Sequence, residues 1–140
     1  MKLSPNFYYK EFFVSRSYPD LADKSYDREI DNKMFQDRLK RLCQEVLQPA
    51  RDFIGKPIKI TSGFRDKFLN EAVGGNIISD HMLAMAADIT CDYPLGELFH
   101  WLKENTCYRQ IIWYPKKNFI HCSVNDVDIK PFKHQHIIKE

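Results

Sequence analysis

The chain has 140 residues, 44% of them hydrophobic and 14% aromatic, a composition that excludes a disordered or low-complexity protein. Its 21 basic and 19 acidic side chains leave a formal charge of +2, too little for a protein that binds nucleic acid mainly by releasing counterions. A chain of this length suits one domain, which we place at residues 1–140.

Neither the first residues nor the cysteines indicate export. Residues 1–13 contain no charged leader followed by an apolar stretch, and no apolar run approaches the ~20 residues of a membrane span. The cysteines include no CxxC pair, so we expect free thiols, at Cys43, Cys91, Cys107 and Cys122. We therefore expect a protein without a membrane span, made in the cytoplasm without a signal peptide.

The first third of the chain predicts one long helix. Residues 8–13 predict a short docking segment and residues 17–31 a loop, because the aromatic and polar residues there show no long period. Apolar residues then recur at three- and four-residue steps over 35–53, which predicts an amphipathic helix. Gly55 is expected to end this helix, and Pro49 predicts a kink near the preceding turn.

The rest of the chain alternates short strands with helices. Alternating apolar and polar residues predict four strands, at Ile58–Thr61, Ala86–Thr90, Tyr108–Tyr114 and Phe119–Val124. A brief helical turn is predicted at 68–73 and a longer helix from Pro94. The C-terminal tail, residues 125–140, shows no period. The fold class is therefore α+β, a small antiparallel sheet packed against a few helices.

His81 and Asp88 are candidate metal ligands that need a chain reversal between them. On a continuous helix they would stand about 10 Å apart along the axis, and on a straight strand more than about 20 Å. Neither arrangement lets them share a metal, whereas the small residue Ala84 and its neighbours would let the backbone fold back. The alternative is a capping aspartate and an ordinary loop histidine.

His121 is the third candidate ligand and lies in the middle of a predicted strand. Alternation places it on one face with Phe119 and Ser123, so a half-buried, hydrogen-bonded histidine is the simple alternative. Two imidazoles and one carboxylate, from His81, Asp88 and His121, would leave a fourth position open. That arrangement is typical of catalytic zinc sites, whereas structural zinc sites are usually closed by cysteines.

Several motifs in order along the chain resemble one peptidase family. They are Ile60-Thr-Ser-Gly-Phe-Arg65, Leu69-Asn70, Val73-Gly-Gly75, Ser79-x-His81 and Ala86-Ala-Asp-Ile89. Together they resemble the zinc D-Ala-D-Ala carboxypeptidases, more narrowly the small single-domain branch of bacteriophages and bacteria. Ile120–Val124 is also similar to the corresponding strand of the hedgehog signalling domain, which shares that fold. The resemblance covers about 7–124, which we take as the core of the domain.

The resemblance implies a hedgehog/DD-peptidase-like fold and a role for each matching residue. Zn²⁺ would be bound by His81, Asp88 and His121. Arg65 would contact a substrate carbonyl or carboxylate and steady developing negative charge, a task that suits a guanidinium fork. Ser79, beside the first ligand, would hydrogen bond the substrate backbone.

The chain departs from this family at the general base. The family acid that takes a proton from the attacking water lies three or six residues before the last histidine, where this chain has Asn118 and Pro115. Neither side chain can serve as a base. Asp92 or Asp126 are alternative acids, and Tyr114 could polarise a water or an oxyanion.

Two functions remain open at this point. The first is a zinc peptidase that cleaves peptidoglycan stem peptides, as a D-Ala-D-Ala carboxypeptidase or a related endopeptidase with a phage lysis function. The second is a zinc-binding but weakly active or inactive module, a cell-wall binder or a virion component. Either would be a monomer that acts at the cell wall or periplasm after release or virion delivery. His134 and His136 could bind metal adventitiously, but a solvated tail is the preferred interpretation.

Overall fold

A five-stranded sheet forms the centre of the molecule. The computed structural model describes residues 1–126 and 132–140. The strands of the sheet are β3 (Ile58–Ser62), β4 (Ala86–Cys91), β5 (Tyr108–Tyr114), β6 (Phe119–Val124) and β7 (Gln135–Ile138). Their order is β3-β4-β6-β5-β7, with every neighbouring pair antiparallel except β5 and β7. A separate antiparallel pair consists of β1 (Lys2–Ser4) and β2 (Phe7–Tyr8). The four predicted strands are confirmed, and so is the α+β class.

In the described part of the chain, five α-helices accompany the sheet. They are α1 (Pro19–Glu29), α2 (Lys33–Leu42), α3 (Gln48–Ile54), α4 (Lys67–Ala72) and α5 (Leu95–Asn105). Short 3₁₀ helices span Tyr9–Phe12 and Asp80–Leu83. No helix in the described part of the chain is long and apolar enough to cross a membrane.

The long helix predicted over 35–53 is present, and it is interrupted near Pro49, as the sequence predicts. α2 and α3 are joined by a π-helical turn at Cys43–Leu47, which ends two residues before Pro49. A proline lacks the N–H that an α-helical bond requires, and the wider turn accommodates that loss. Asn32 begins the helix by accepting a hydrogen bond from the Phe35 N–H, and Gly55 ends it with a φ of 65°.

Two expectations about irregular segments are wrong. Residues 17–31 contain α1, in which only Ala22 and Ser25 are buried, so no apolar stripe indicates a helix. Residues 135–138 form β7, which pairs with β5 in parallel. The strand is mostly exposed and therefore lacks the alternation that a half-buried strand shows.

The sheet separates the core from the site. On β6, Ile120, Cys122 and Val124 are buried, and the core they join includes residues of α2, α3 and α5. The opposite face of β6 carries Phe119 and His121, which line a pocket. The register of the sheet therefore decides which side chains enter the candidate site.

The four cysteines are free thiols, as the sequence predicts, and two of them are buried.

Candidate metal centre

Three side chains bring their donor atoms together on the pocket face of the sheet. Asp88 on β4 lies directly opposite His121 on β6. The carboxylate Oδ1 of Asp88 is 3.0 Å from Nδ1 of His121 and 3.2 Å from Nε2 of His81. The two imidazole nitrogens are 3.2 Å apart. The structure thus brings together the three residues that the sequence predicts as ligands.

A left-handed residue supplies the predicted chain reversal between His81 and β4. Ser79 begins the 3₁₀ turn by accepting a hydrogen bond from the His81 N–H at 3.2 Å. Ala84 ends the turn with a φ of 57° and a ψ of 39°, and the next N–H, of Met85, donates to the Asp80 carbonyl. An alanine in this region is strained by roughly 1–2 kcal/mol. The surrounding structure therefore has to hold the reversal that delivers His81.

The backbone of Gly63 fixes the orientation of the His81 ring. Nδ1 of His81 lies 2.7 Å from the Gly63 carbonyl oxygen, and a carbonyl can only accept. Nδ1 therefore carries the proton, which leaves the lone pair on Nε2 pointing at Asp88 and His121. An imidazole held in this way by its second nitrogen is typical of metal-binding histidines.

The electrostatics of the cluster favour the charge states that a metal requires. Burial lowers the pKa of His81, against the opposing field of Asp88, so its imidazole is neutral at neutral pH. Burial alone would raise the pKa of Asp88, but the electrostatic and polar contacts with His81 and His121 outweigh it. The pKa of Asp88 is accordingly well below its usual range. A neutral imidazole and an ionised carboxylate are ready to bind a cation.

The cluster lies in a pocket of about 500 Å³ that also receives Arg65, Ser79 and Tyr114. One guanidinium nitrogen of Arg65 donates to the Ser79 hydroxyl at 3.3 Å. The Nε of Arg65 is buried and has no hydrogen-bond partner in the described part of the chain. Tyr114 stacks on Phe119 with ring centroids 4.5 Å apart. All six predicted site residues therefore line one pocket, and Arg65 also has a buried donor that no described residue uses.

The comparison with protein families identifies the chain. Residues 17–123 match the model of the peptidase M15 family. The chain belongs to this family. The search of curated proteins finds no match. M15 peptidases are zinc-dependent, so the match bears out the metallopeptidase class and a zinc cofactor at the level of the family.

The donor atoms of this M15 family member fit a zinc ion. Zinc bonds of about 2.0–2.1 Å at tetrahedral angles would separate the donors by roughly 3.3 Å. The observed separations of 3.0–3.2 Å are close to that value. Within residues 1–126 and 132–140, the cluster contains three potential ligands and no cysteine. The chemistry of the set, two imidazoles and one carboxylate, therefore suits zinc with one position open to the pocket.

The alternative acids proposed from the sequence do not lie in the pocket. The Asp92 carboxylate is fully exposed, 4.0 Å from the Lys56 ammonium, and lines a different depression. The Asp126 carboxylate is 3.3 Å from Nε of Arg38. Neither acid is therefore among the described residues that line the pocket beside the metal cluster. Each carboxylate instead lies near a basic side chain outside the pocket.

The hairpin turn likewise brings no acid to the site. Pro115 and Asn118 are not among the lining residues, and Asn118 occupies the left-handed region with a φ of 60°. The sequence reasoning missed Asp80, which lines the pocket and lies 3.2 Å from Nε of Arg109. Both side chains are almost fully buried. The position of Asp80 next to His81 is the one sequence signal that could have indicated it.

Proposed function

We propose that this M15 family member is a zinc-dependent peptidase that hydrolyses peptidoglycan stem peptides. The bond would lie next to a D-residue, either the terminal D-Ala-D-Ala bond or one within the stem. One observation carries the proposal: the three converging donors share a pocket with Arg65, whose buried Nε has no hydrogen-bond partner among the described residues. Zinc would be held by His81, Asp88 and His121.

Bound zinc supplies a Lewis acid that polarises a carbonyl and lowers the pKa of water. Arg65 is the residue that we assign to the substrate. Its guanidinium carries donors for a peptide carbonyl oxygen or a terminal carboxylate, and burial strengthens such bonds because water competes less. Ser79 keeps the guanidinium in place through its hydroxyl. Arg65 would therefore position the substrate and stabilise negative charge on the reacting carbonyl oxygen.

Tyr114 is the second residue that we assign to substrate. Its ring is held by the stack with Phe119, and its side chain lines the pocket beside His121. A neutral phenol donates a hydrogen bond readily but already carries its proton, so it is a poor base. Tyr114 would orient water or stabilise an oxyanion without replacing a carboxylate base.

The small number of carboxylates in the pocket supports a second candidate function, a module that binds stem peptides and hydrolyses them slowly. Among the described residues, Asp80 and Asp88 are the carboxylates that line the pocket. Asp88 is a metal ligand in our proposal, and Asp80 is paired with Arg109. Loss of a general base typically lowers a rate by 10²–10⁴-fold. A phage origin, with release or virion delivery to the wall, belongs to both candidates.

Mass spectrometry of purified muropeptides incubated with the zinc-loaded protein tests the proposal. We expect loss of D-Ala or a cut within the stem that disappears when a chelator removes the metal. Arg65→Gln should lower kcat/KM by roughly 10²–10³-fold, as removal of an oxyanion donor does. The matched control is Arg16→Gln, which neutralises an exposed arginine outside the pocket and should change nothing.

The outcomes separate the two candidates. Intact muropeptides from folded, zinc-loaded protein that still binds them would favour the binding module. Intact muropeptides that are not bound would contradict both candidates. Cleavage that is indifferent to Arg65→Gln would contradict the role of that residue.

A further inference from the structure

Two lysines outside the family match complete the wall of the pocket. Lys133 and Lys139 both line it, although the matched residues end at 123. They flank β7, the strand that joins the sheet in parallel beside β5. The β7 segment thus adds basic side chains to a pocket whose other walls come from the matched region.

The backbone fixes the position of both lysines. The side-chain amide of Asn125 clamps Lys133, accepting from its N–H at 2.9 Å and donating to its carbonyl at 2.8 Å. The N–H of Lys139 donates to the Trp113 carbonyl at 2.9 Å. The Lys139 ammonium lies 5.9 Å from the centre of the Tyr114 ring, which places it beside the substrate-facing end of β5. These placements do not depend on the charge of either side chain.

The side chains that line the pocket carry a net positive charge. Among the described residues, neither lysine ammonium lies within ion-pair distance of a carboxylate, whereas the pocket acids are committed to Arg109 and the metal donors. A zinc ion would add two further positive charges. An anionic group entering the pocket would therefore be attracted by Lys133, Lys139 and Arg65 together.

We propose that Lys133 and Lys139 make the pocket selective for a peptide that carries a second carboxylate near the scissile bond, besides its C-terminal one. This inference rests on the proposed function, because it defines the substrate class of that same site. Arg65 carries donors that can also bind the C-terminal carboxylate, and Lys133 and Lys139 on the β7 side provide the charges for the other. Each exposed lysine should contribute up to about a fivefold preference, the upper end of the usual range for a solvated ion pair.

The test compares two peptides that differ in one charge, N-acetyl-Glu-D-Ala-D-Ala and N-acetyl-Gln-D-Ala-D-Ala. Dissociation constants for the zinc-loaded protein are measured by isothermal titration calorimetry, and kcat/KM is measured where turnover occurs. We expect tighter binding of the glutamate peptide and a smaller preference at high salt, because salt screens the attraction. Lys133→Gln and Lys139→Gln should each reduce the preference, and the double variant should abolish it.

Lys116→Gln is the matched control. It removes the same charge from the exposed hairpin turn, outside the pocket, and should leave the preference unchanged. Equal binding of the two peptides, or a double variant that keeps the wild-type preference, would overturn the inference while leaving the proposed function intact. Failure to bind either peptide would overturn the proposed substrate, and the inference with it.

Discussion

Removal of one imidazole provides the most direct test of the metal centre. His121→Ala deletes one of three donors, and the side chain is partly open to the pocket, so the truncation leaves a solvated space rather than a sealed cavity. The metal-free variant should therefore have nearly the same Tm as the metal-free wild type. What it loses is the stabilisation that zinc gives the folded state.

The size of that stabilisation follows from linkage. Zinc at 100 times its dissociation constant stabilises a folded protein by about 2.7 kcal/mol. For a domain of 140 residues, each kcal/mol corresponds to about 3 °C, so the wild-type Tm should rise by about 8 °C. His121→Ala should show little or no rise at the same zinc concentration, because only His81 and Asp88 remain.

Thermal unfolding of chelator-stripped protein, with and without added zinc, measures the effect. The zinc content after gel filtration gives the stoichiometry. The control is His136→Ala, which removes an exposed histidine of β7 and should keep the full rise in Tm. Stoichiometric zinc in His121→Ala with an unchanged rise would refute the assignment of the cluster. Loss of the rise in His136→Ala would place the metal in the tail instead.

Two further predictions concern residues that support the site and the fold. Gly63→Ala should lower both the Tm and the zinc affinity, because an added Cβ would lie 2.6 Å from the Cα of Phe12 and the Gly63 carbonyl orients His81. Gly55→Ala, where the new Cβ meets open space, should lower the Tm alone, and equal zinc affinities in the two variants would contradict the argument. Burial raises the pKa of Tyr9 to about 12, so above pH 10 the unfolded chain loses a proton that the folded chain keeps. Stability should then fall by up to about 1.4 kcal/mol per pH unit between pH 10 and 12, less steeply in Tyr9→Phe, and urea titrations with identical slopes would disprove it.

The elements that could be predicted are those whose burial imposes a period. β6 alternates between core and pocket because each of its faces packs against something different, and the same alternation indicates which face His121 occupies. The helix interrupted at Pro49 has a continuous apolar stripe against the core. α1 and β7 bury too few side chains to leave such a pattern, so tertiary pairing rather than local sequence determines them.

The site divides in the same way. The clustering of His81, Asp88 and His121 could be predicted because their spacing and residue types match a known peptidase pattern. The pair of Asp80 with Arg109 could not, since the two residues are 29 positions apart and meet only through the sheet. The same holds for Lys133 and Lys139, which reach the pocket only because β7 pairs with β5.

The charges of the pocket also set the chemistry that it can perform. With Asp88 assigned to the metal in our proposal and Asp80 paired with Arg109, the described side chains that remain for a substrate, Arg65 and Tyr114 among them, are mainly hydrogen-bond donors. Donors bind anions and stabilise negative charge in a transition state, but they do not take a proton from water at neutral pH. Affinity for the stem peptides that we propose as substrates should therefore survive better than turnover. A kcat/KM some 10²–10⁴-fold below the usual 10⁴–10⁸ M⁻¹s⁻¹ of enzymes would fit a pocket that holds its substrate without a base. A value within the usual range would require a proton acceptor beyond the side chains to which we assign roles.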